Sequence, residues 1–176
     1  MSVKRLCYLG MLTAVLFVQE EVLTFIPSVQ LTFFLIILYG ATVGIRDGSI
    51  IVIIHVLLDN LYMSSFGIYT IGPMLVGYEI TLVVGYLFKN KSEWLIAIMS
   101  GVCALIYAGL FIPVNIFVYD VDPIAYIIAD IPFDLVMVTC NICCVLFLYK
   151  PLYSILDNEL NKKEIEEIEE DNKDRD

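Results

Sequence analysis

The chain has 176 residues, 60% of them hydrophobic, and its 20 acidic against 10 basic residues give a net charge of −10. Fourteen charges fall after Pro151, so the first 151 residues hold only ten acidic and six basic side chains. A soluble domain has roughly a quarter of its residues charged and an acidic chain repels phosphate, so a water-soluble globular enzyme and a nucleic-acid binder are both excluded.

A helix needs about 20 apolar residues to cross a hydrocarbon core of ~30 Å. In chain order, six segments qualify, at about 6–26, 29–45, 49–63, 73–88, 94–112 and 123–149. The first stops at Pro27. The fourth opens on Pro73, a favoured first helical residue; the fifth halts before Pro113 and the sixth before Pro151. No small-x-small cleavage site follows the first run, so it is expected to be a retained span rather than a signal peptide. Residues 156–176 are too acidic to pack a core and are expected to form a cytoplasmic tail, frayed or disordered.

Basic residues mark the cytoplasmic side of short loops. Lys4 and Arg5 precede the first span, Arg46 separates the second from the third, and Lys89 and Lys91 separate the fourth from the fifth. Lys150, Lys162, Lys163, Lys173 and Arg175 follow the sixth. All ten therefore fall on one face of a six-span arrangement. The expected fold is an all-α integral membrane domain over 1–155, with six transmembrane helices and both termini cytoplasmic.

Ionisable groups inside spans are costly and mark function by default. In this topology Glu20, Glu21, Asp59, Glu79, Asp130 and Asp134 lie in or near the outer half, with no Lys or Arg beside them. Glu20, Glu21 and Asp59 could instead reach the aqueous interface. Asp130 and Asp134 are four apart and share a helix face. On the same side, Ser64-Ser65-Phe66-Gly67-Ile68-Tyr69-Thr70 and then Asn115, Tyr119 and Asp120 supply aromatic and polar groups suited to a flat organic ligand. The candidate ligand-binding residues are Glu79, Asp130, Asp134, Asp59, Tyr69 and Asn115. His55 lies one turn before Asp59 and reads either as a relay or as a hydrogen-bonded packing residue. Cys140, Cys143 and Cys144 sit on an apolar helix without a partner pair, so no metal site is expected. Small residues at four-residue spacing permit close helix approach: Gly10 with Ala14, Gly40 with Gly44, and Ser100 with Ala104 and Ala108. No catalytic motif is present: no phosphate-cradling Gly-Lys-Ser/Thr loop, no His-Glu-x-x-His, no nucleophile elbow.

Residues 5–155 resemble the substrate-binding S components of energy-coupling factor (ECF) vitamin transporters. The resemblance rests on Gly10-Met11-Leu12-Thr13-Ala14, then Ile26-Pro27-Ser28-Val29-Gln30 leading into Leu35-Ile36-Ile37-Leu38-Tyr39-Gly40. It continues in Pro132-Phe133-Asp134-Leu135-Val136 with Asn141, and in Lys150-Pro151-Leu152-Tyr153. It implies a non-enzymatic binding subunit in the prokaryotic plasma membrane that captures a vitamin-like solute between the outer loops and helix ends. It also implies docking onto a membrane coupling protein driven by two cytoplasmic ATPases. ATP is then used by those partners, and this chain itself carries no cofactor. The family's Ala-x-x-x-Ala docking pattern is matched by Gly10 and Ala14. The family often has His where Met137 stands, a departure close to Asp134. A rival expectation from the residues alone is a stand-alone proton- or cation-coupled transporter, with Asp130, Asp134, Glu79 and His55 as its relay.

Overall fold

Every regular element among the described residues is a helix, in the order α1 (Val3–Leu23), α2 (Thr32–Thr42), α3 (Ile45–Tyr62), α4 (Ile68–Phe88), α5 (Glu93–Phe117) and α6 (Pro123–Lys173). The structure is a computed structural model that describes residues 3–26, 28–63 and 67–173, with side chains as far as 160. Pro27 and the Ser64-Ser65-Phe66 stretch lie outside the described residues.

Four helices are long and apolar enough to cross a membrane: α1, α4, α5 and the Pro123–Leu160 part of α6. Their outward surfaces are apolar, as with Leu6, Met11, Val15, Val18 and Val22 along α1. Polar side chains instead gather inside, where Thr13, Thr32, His55, Asn60, Thr81, Ser100 and Asn141 are all buried. Apolar surface around a polar-seeded interior is the arrangement expected of a chain solvated by lipid, and the four helices fit an integral membrane protein.

At the centre is α2, which has only eleven residues, ten of them buried, and is about 17 Å long at 1.5 Å per residue. It packs most extensively on α4, while α5 packs on α6. The α2–α4 crossing is close because Gly40 faces the Leu82 backbone and Gly85 faces the Ile37 backbone, leaving no room for a side chain at either position. A short helix inside a bundle exposes unpaired amides at its N-terminus, and neighbouring helices supply the acceptors. Gln19 Oε1 accepts the Leu31 N–H at 3.0 Å, and Asn141 Oδ1 accepts the Phe34 N–H at 3.1 Å.

Several boundaries differ from the sequence expectation. Helix α4 begins at Ile68, with Pro73 inside it, and α5 runs through Pro113 to Phe117. Helix α6 begins at Pro123, where Asp122 Oδ1 caps the Ala125 N–H at 2.8 Å, and continues through Pro132 and Pro151 to Lys173. The expected stop at Tyr149 is therefore absent, and the helix extends into the acidic tail. Proline interrupts one backbone hydrogen bond, but packed membrane helices re-satisfy or tolerate the gap.

Candidate functional site

The two buried aspartates of the described residues sit at opposite ends of α3 and are treated differently. Near its start, Asp47 is paired with Arg5 of α1, Oδ2 lying 2.6 Å from Nε and 2.5 Å from the terminal nitrogen. Near its end, Asp59 is only 8% exposed, yet its carboxylate has no hydrogen-bond donor among the described residues. Its ionisable neighbours are Glu20, Glu21 and His55.

Asp59 lines a cavity of about 400 Å³. The walls come from the end of α1 (Glu20, Leu23, Thr24), the segment before α2 (Ser28, Val29, Gln30), the end of α3 (Asp59, Met63), the start of α4 (Thr70, Met74) and the second half of α5 (Tyr107, Phe111). Each wall lies toward the helix end remote from the Lys and Arg residues within or flanking that helix. From Arg46 to Asp59, for instance, is about 20 Å along α3.

A polar network forms the inner edge of the cavity. The Thr32 hydroxyl receives a hydrogen bond from Gln19 Nε2 at 2.9 Å and donates to Glu20 Oε2 at 3.2 Å. The same Glu20 oxygen lies 3.0 Å from Nε2 of His55, whose side chain is fully buried. His55 packs against the Tyr78 ring, and Tyr78 stacks on Tyr107 with centroids 5.0 Å apart. Tyr107 in turn meets Phe111 at 5.2 Å. The wall from Ser28 to Gln30 is pinned to α6, because Gln30 Nε2 donates to Met137 Sδ at 3.1 Å and the Gln30 carbonyl accepts from Cys140 Sγ at 3.8 Å. Ser28 holds a left-handed backbone, φ 59°, which is uncommon for a residue with a side chain.

Of the six candidate ligand residues, only Asp59 lines this cavity. Glu79 accepts a hydrogen bond from Ser49 at 2.8 Å instead. The earlier start of α4 places Glu79 eleven residues in, about 16 Å from the helix start, rather than the six counted from Pro73. Asp130 and Asp134 are half-buried on α6, a helix that contributes no residue to the cavity wall. Tyr69 is exposed beside the lining residue Thr70. Asn115 donates to the Phe111 carbonyl at 2.9 Å and lies one turn beyond the cavity. Gly10 and Ala14 lie on an exposed face of α1, and a Cβ added at Gly10 would meet nothing within 4 Å.

Sequence reasoning missed Gln30, Met74, Tyr107 and Phe111. One signal was available: Tyr78 and Tyr107 lie in the middle of apolar runs rather than at their ends, where interfacial tyrosines concentrate. No protein-family model, curated protein or solved structure matches the chain.

Proposed function

We propose that this protein is the substrate-binding membrane subunit of an ECF-type importer. All six helices are embedded, both termini are cytoplasmic, and a vitamin-like solute is captured in the cavity among Glu20, Asp59 and Tyr107. The observation that carries this reading is the position of the cavity, at the helix ends remote from every Lys and Arg. By the positive-inside rule those ends face outward. Its volume lies in the range of small-molecule sites, about 300–1,000 Å³, and its lining mixes apolar walls with a few polar groups. Gly10 and Ala14 form an uncovered small-residue stretch of α1, which suits close approach of a helix from a membrane coupling protein. That protein and two ATPases would supply the energy, because no motif in this chain binds ATP.

The contact between His55 and Glu20 at the cavity edge favours a second reading, a stand-alone proton-coupled transporter, since a buried imidazole–carboxyl pair can relay protons. Reconstitution separates the two. Proteoliposomes holding this chain alone are expected to bind the solute that copurifies with it, identified by mass spectrometry, without accumulating it. Adding the coupling protein and ATPases with ATP restores uptake, and Ala14→Leu abolishes that uptake while solute binding persists. Uptake by the chain alone, driven by a pH gradient, would establish the second reading in place of the first.

A further inference from the structure

Resting on the solute-binding reading of the cavity, we infer that its ligand is a small organic cation: a protonated amine, an amidine or a cationic nitrogen heterocycle, carried on a flat ring. The positive charge sits on Asp59 with Glu20 beside it, and the ring lies along Tyr107 and Phe111.

Several other buried or half-buried acids of this chain have a partner within it. Asp47 has Arg5, Glu93 has Lys150 at 2.9 Å, Glu79 has the Ser49 hydroxyl, and Glu20 accepts from Thr32 with His55 Nε2 3.0 Å away. Glu21, a neighbour of Asp59, keeps a buried Oε1 without a hydrogen-bond partner among the described residues. Asp59 is 8% exposed and lines the cavity, with no donor among the described residues. A largely buried carboxyl group that no side chain of the fold neutralises is unfavourable, and the cavity that Asp59 faces has room for a complementary partner. Charge balance points to the same partner. Glu20, Glu21 and Asp59 neighbour one another around a single basic group, His55. Even with His55 protonated, three carboxylates would leave an excess of negative charge, and the Lys and Arg residues are about 20 Å away along the helices. The α5 wall of the same cavity is aromatic, with Tyr107 and Phe111, and ring faces attract cations in a desolvated site. A cation with N–H donors would satisfy Asp59 through charge-assisted hydrogen bonds, the stronger kind. An anionic ligand would meet like charge, and a neutral one would leave the excess uncompensated.

Calorimetry on the full chain in lipid nanodiscs, with benzamidinium, benzamide and benzoate as probes, tests this. The three share one ring and differ in charge. Benzamidinium is expected to bind about tenfold or more tightly than benzamide, with no detectable binding of benzoate. Asp59→Asn is expected to erase that preference while leaving the thermal midpoint of the ligand-free protein unchanged or higher, because it removes an unpaired buried acid. Equal or tighter binding of benzamide or benzoate would overturn the cationic class and leave the solute cavity standing. So would a cation preference that survives in both Asp59→Asn and Glu20→Gln, and a fall in the Asp59→Asn midpoint would overturn the role given to Asp59. If no probe binds, native mass spectrometry of the protein as purified decides. A retained cation supports the inference, and a retained neutral or anionic solute overturns it alone. No retained solute at all overturns the solute-binding reading with it.

Discussion

Asn141 sits inside α6, fully buried, with both ends of its amide committed. Nδ2 donates to the Met137 carbonyl at 2.8 Å, and Oδ1 accepts the Phe34 N–H, one of the orphan amides at the start of α2. Asn141→Ala removes the acceptor and leaves that N–H in an apolar interior. The expected destabilisation is about 1–3 kcal/mol, read as a lower thermal midpoint in detergent; an unchanged midpoint would mean that the Phe34 amide finds another partner. Glu79 gives the opposite expectation. Glu79→Gln preserves an acceptor for Ser49 and touches no cavity wall, so benzamidinium affinity measured by calorimetry should stay within about twofold of the wild type. Sequence alone placed Glu79 in the site because an acid in an apolar run attracts suspicion, and it singled out Asp59 for the same reason. It could not separate the two, since what distinguishes them is a hydroxyl thirty residues away in the chain. Tyr107, Phe111 and Gln30 escaped notice because aromatic residues in a span and a glutamine in a loop are unremarkable until the fold brings them together.

Glycine spacing carries more meaning at the scale of whole helices. Gly40 and Gly85 face each other's helices across the α2–α4 crossing, and an added Cβ at either position would strike backbone rather than a side chain that could turn aside. Gly85→Ala must therefore separate the two helices, a change expected to destabilise by about 1–3 kcal/mol or more. Gly10→Ala meets open space and should stay within about 0.5 kcal/mol of wild type. Thermal unfolding of the two variants side by side checks the contrast, and equal midpoints would mean that α2 and α4 can shift apart without loss. The six apolar runs were legible in the sequence because lipid and interior both demand apolar residues over a helix length. Helix ends were less so. Pro73 was read as a helix start, a position proline favours, and Pro113 and Pro151 as stops, by the rule that proline breaks helices in water. All three lie inside helices here, as membrane helices tolerate. The shift at Pro73 alone moves Glu79 more than one turn along α4, and Glu79 is not among the residues that line the cavity.

Taken as a whole, the molecule poses one question of topology that α2 makes sharp. Four helices are long and apolar enough to cross, whereas α2 spans about 17 Å and α3 carries Arg46, Asp47 and Asp59. Helices α2 and α3 could therefore cross as two spans, or enter and leave from the same side as a re-entrant pair. Irregular backbone at membrane depth is tolerated when buried in protein, and the segment leading into α2 meets that condition through Gln19 and Asn141. The re-entrant alternative would leave Arg46, which is exposed at the α2–α3 turn, inside the hydrocarbon without a route to water. A charged side chain there is opposed by about 2.5–3.5 kcal/mol on insertion scales. Two full crossings instead put Arg46 on the same aqueous side as Lys4, Lys89, Lys91 and Lys150, in keeping with the one-sided placement of basic residues. Single-cysteine probes decide between them after replacement of the five native cysteines. Tyr119→Cys is expected to react with a membrane-impermeant maleimide in intact cells, and Ser92→Cys only after permeabilisation. Arg46→Cys is the discriminating probe. Labelling only after permeabilisation, matching Ser92→Cys, is the six-span result. Labelling in intact cells, or protection under both conditions, would make α2 and α3 a re-entrant pair, and the cavity among Glu20, Asp59 and Tyr107 would have to be placed again relative to the two aqueous faces.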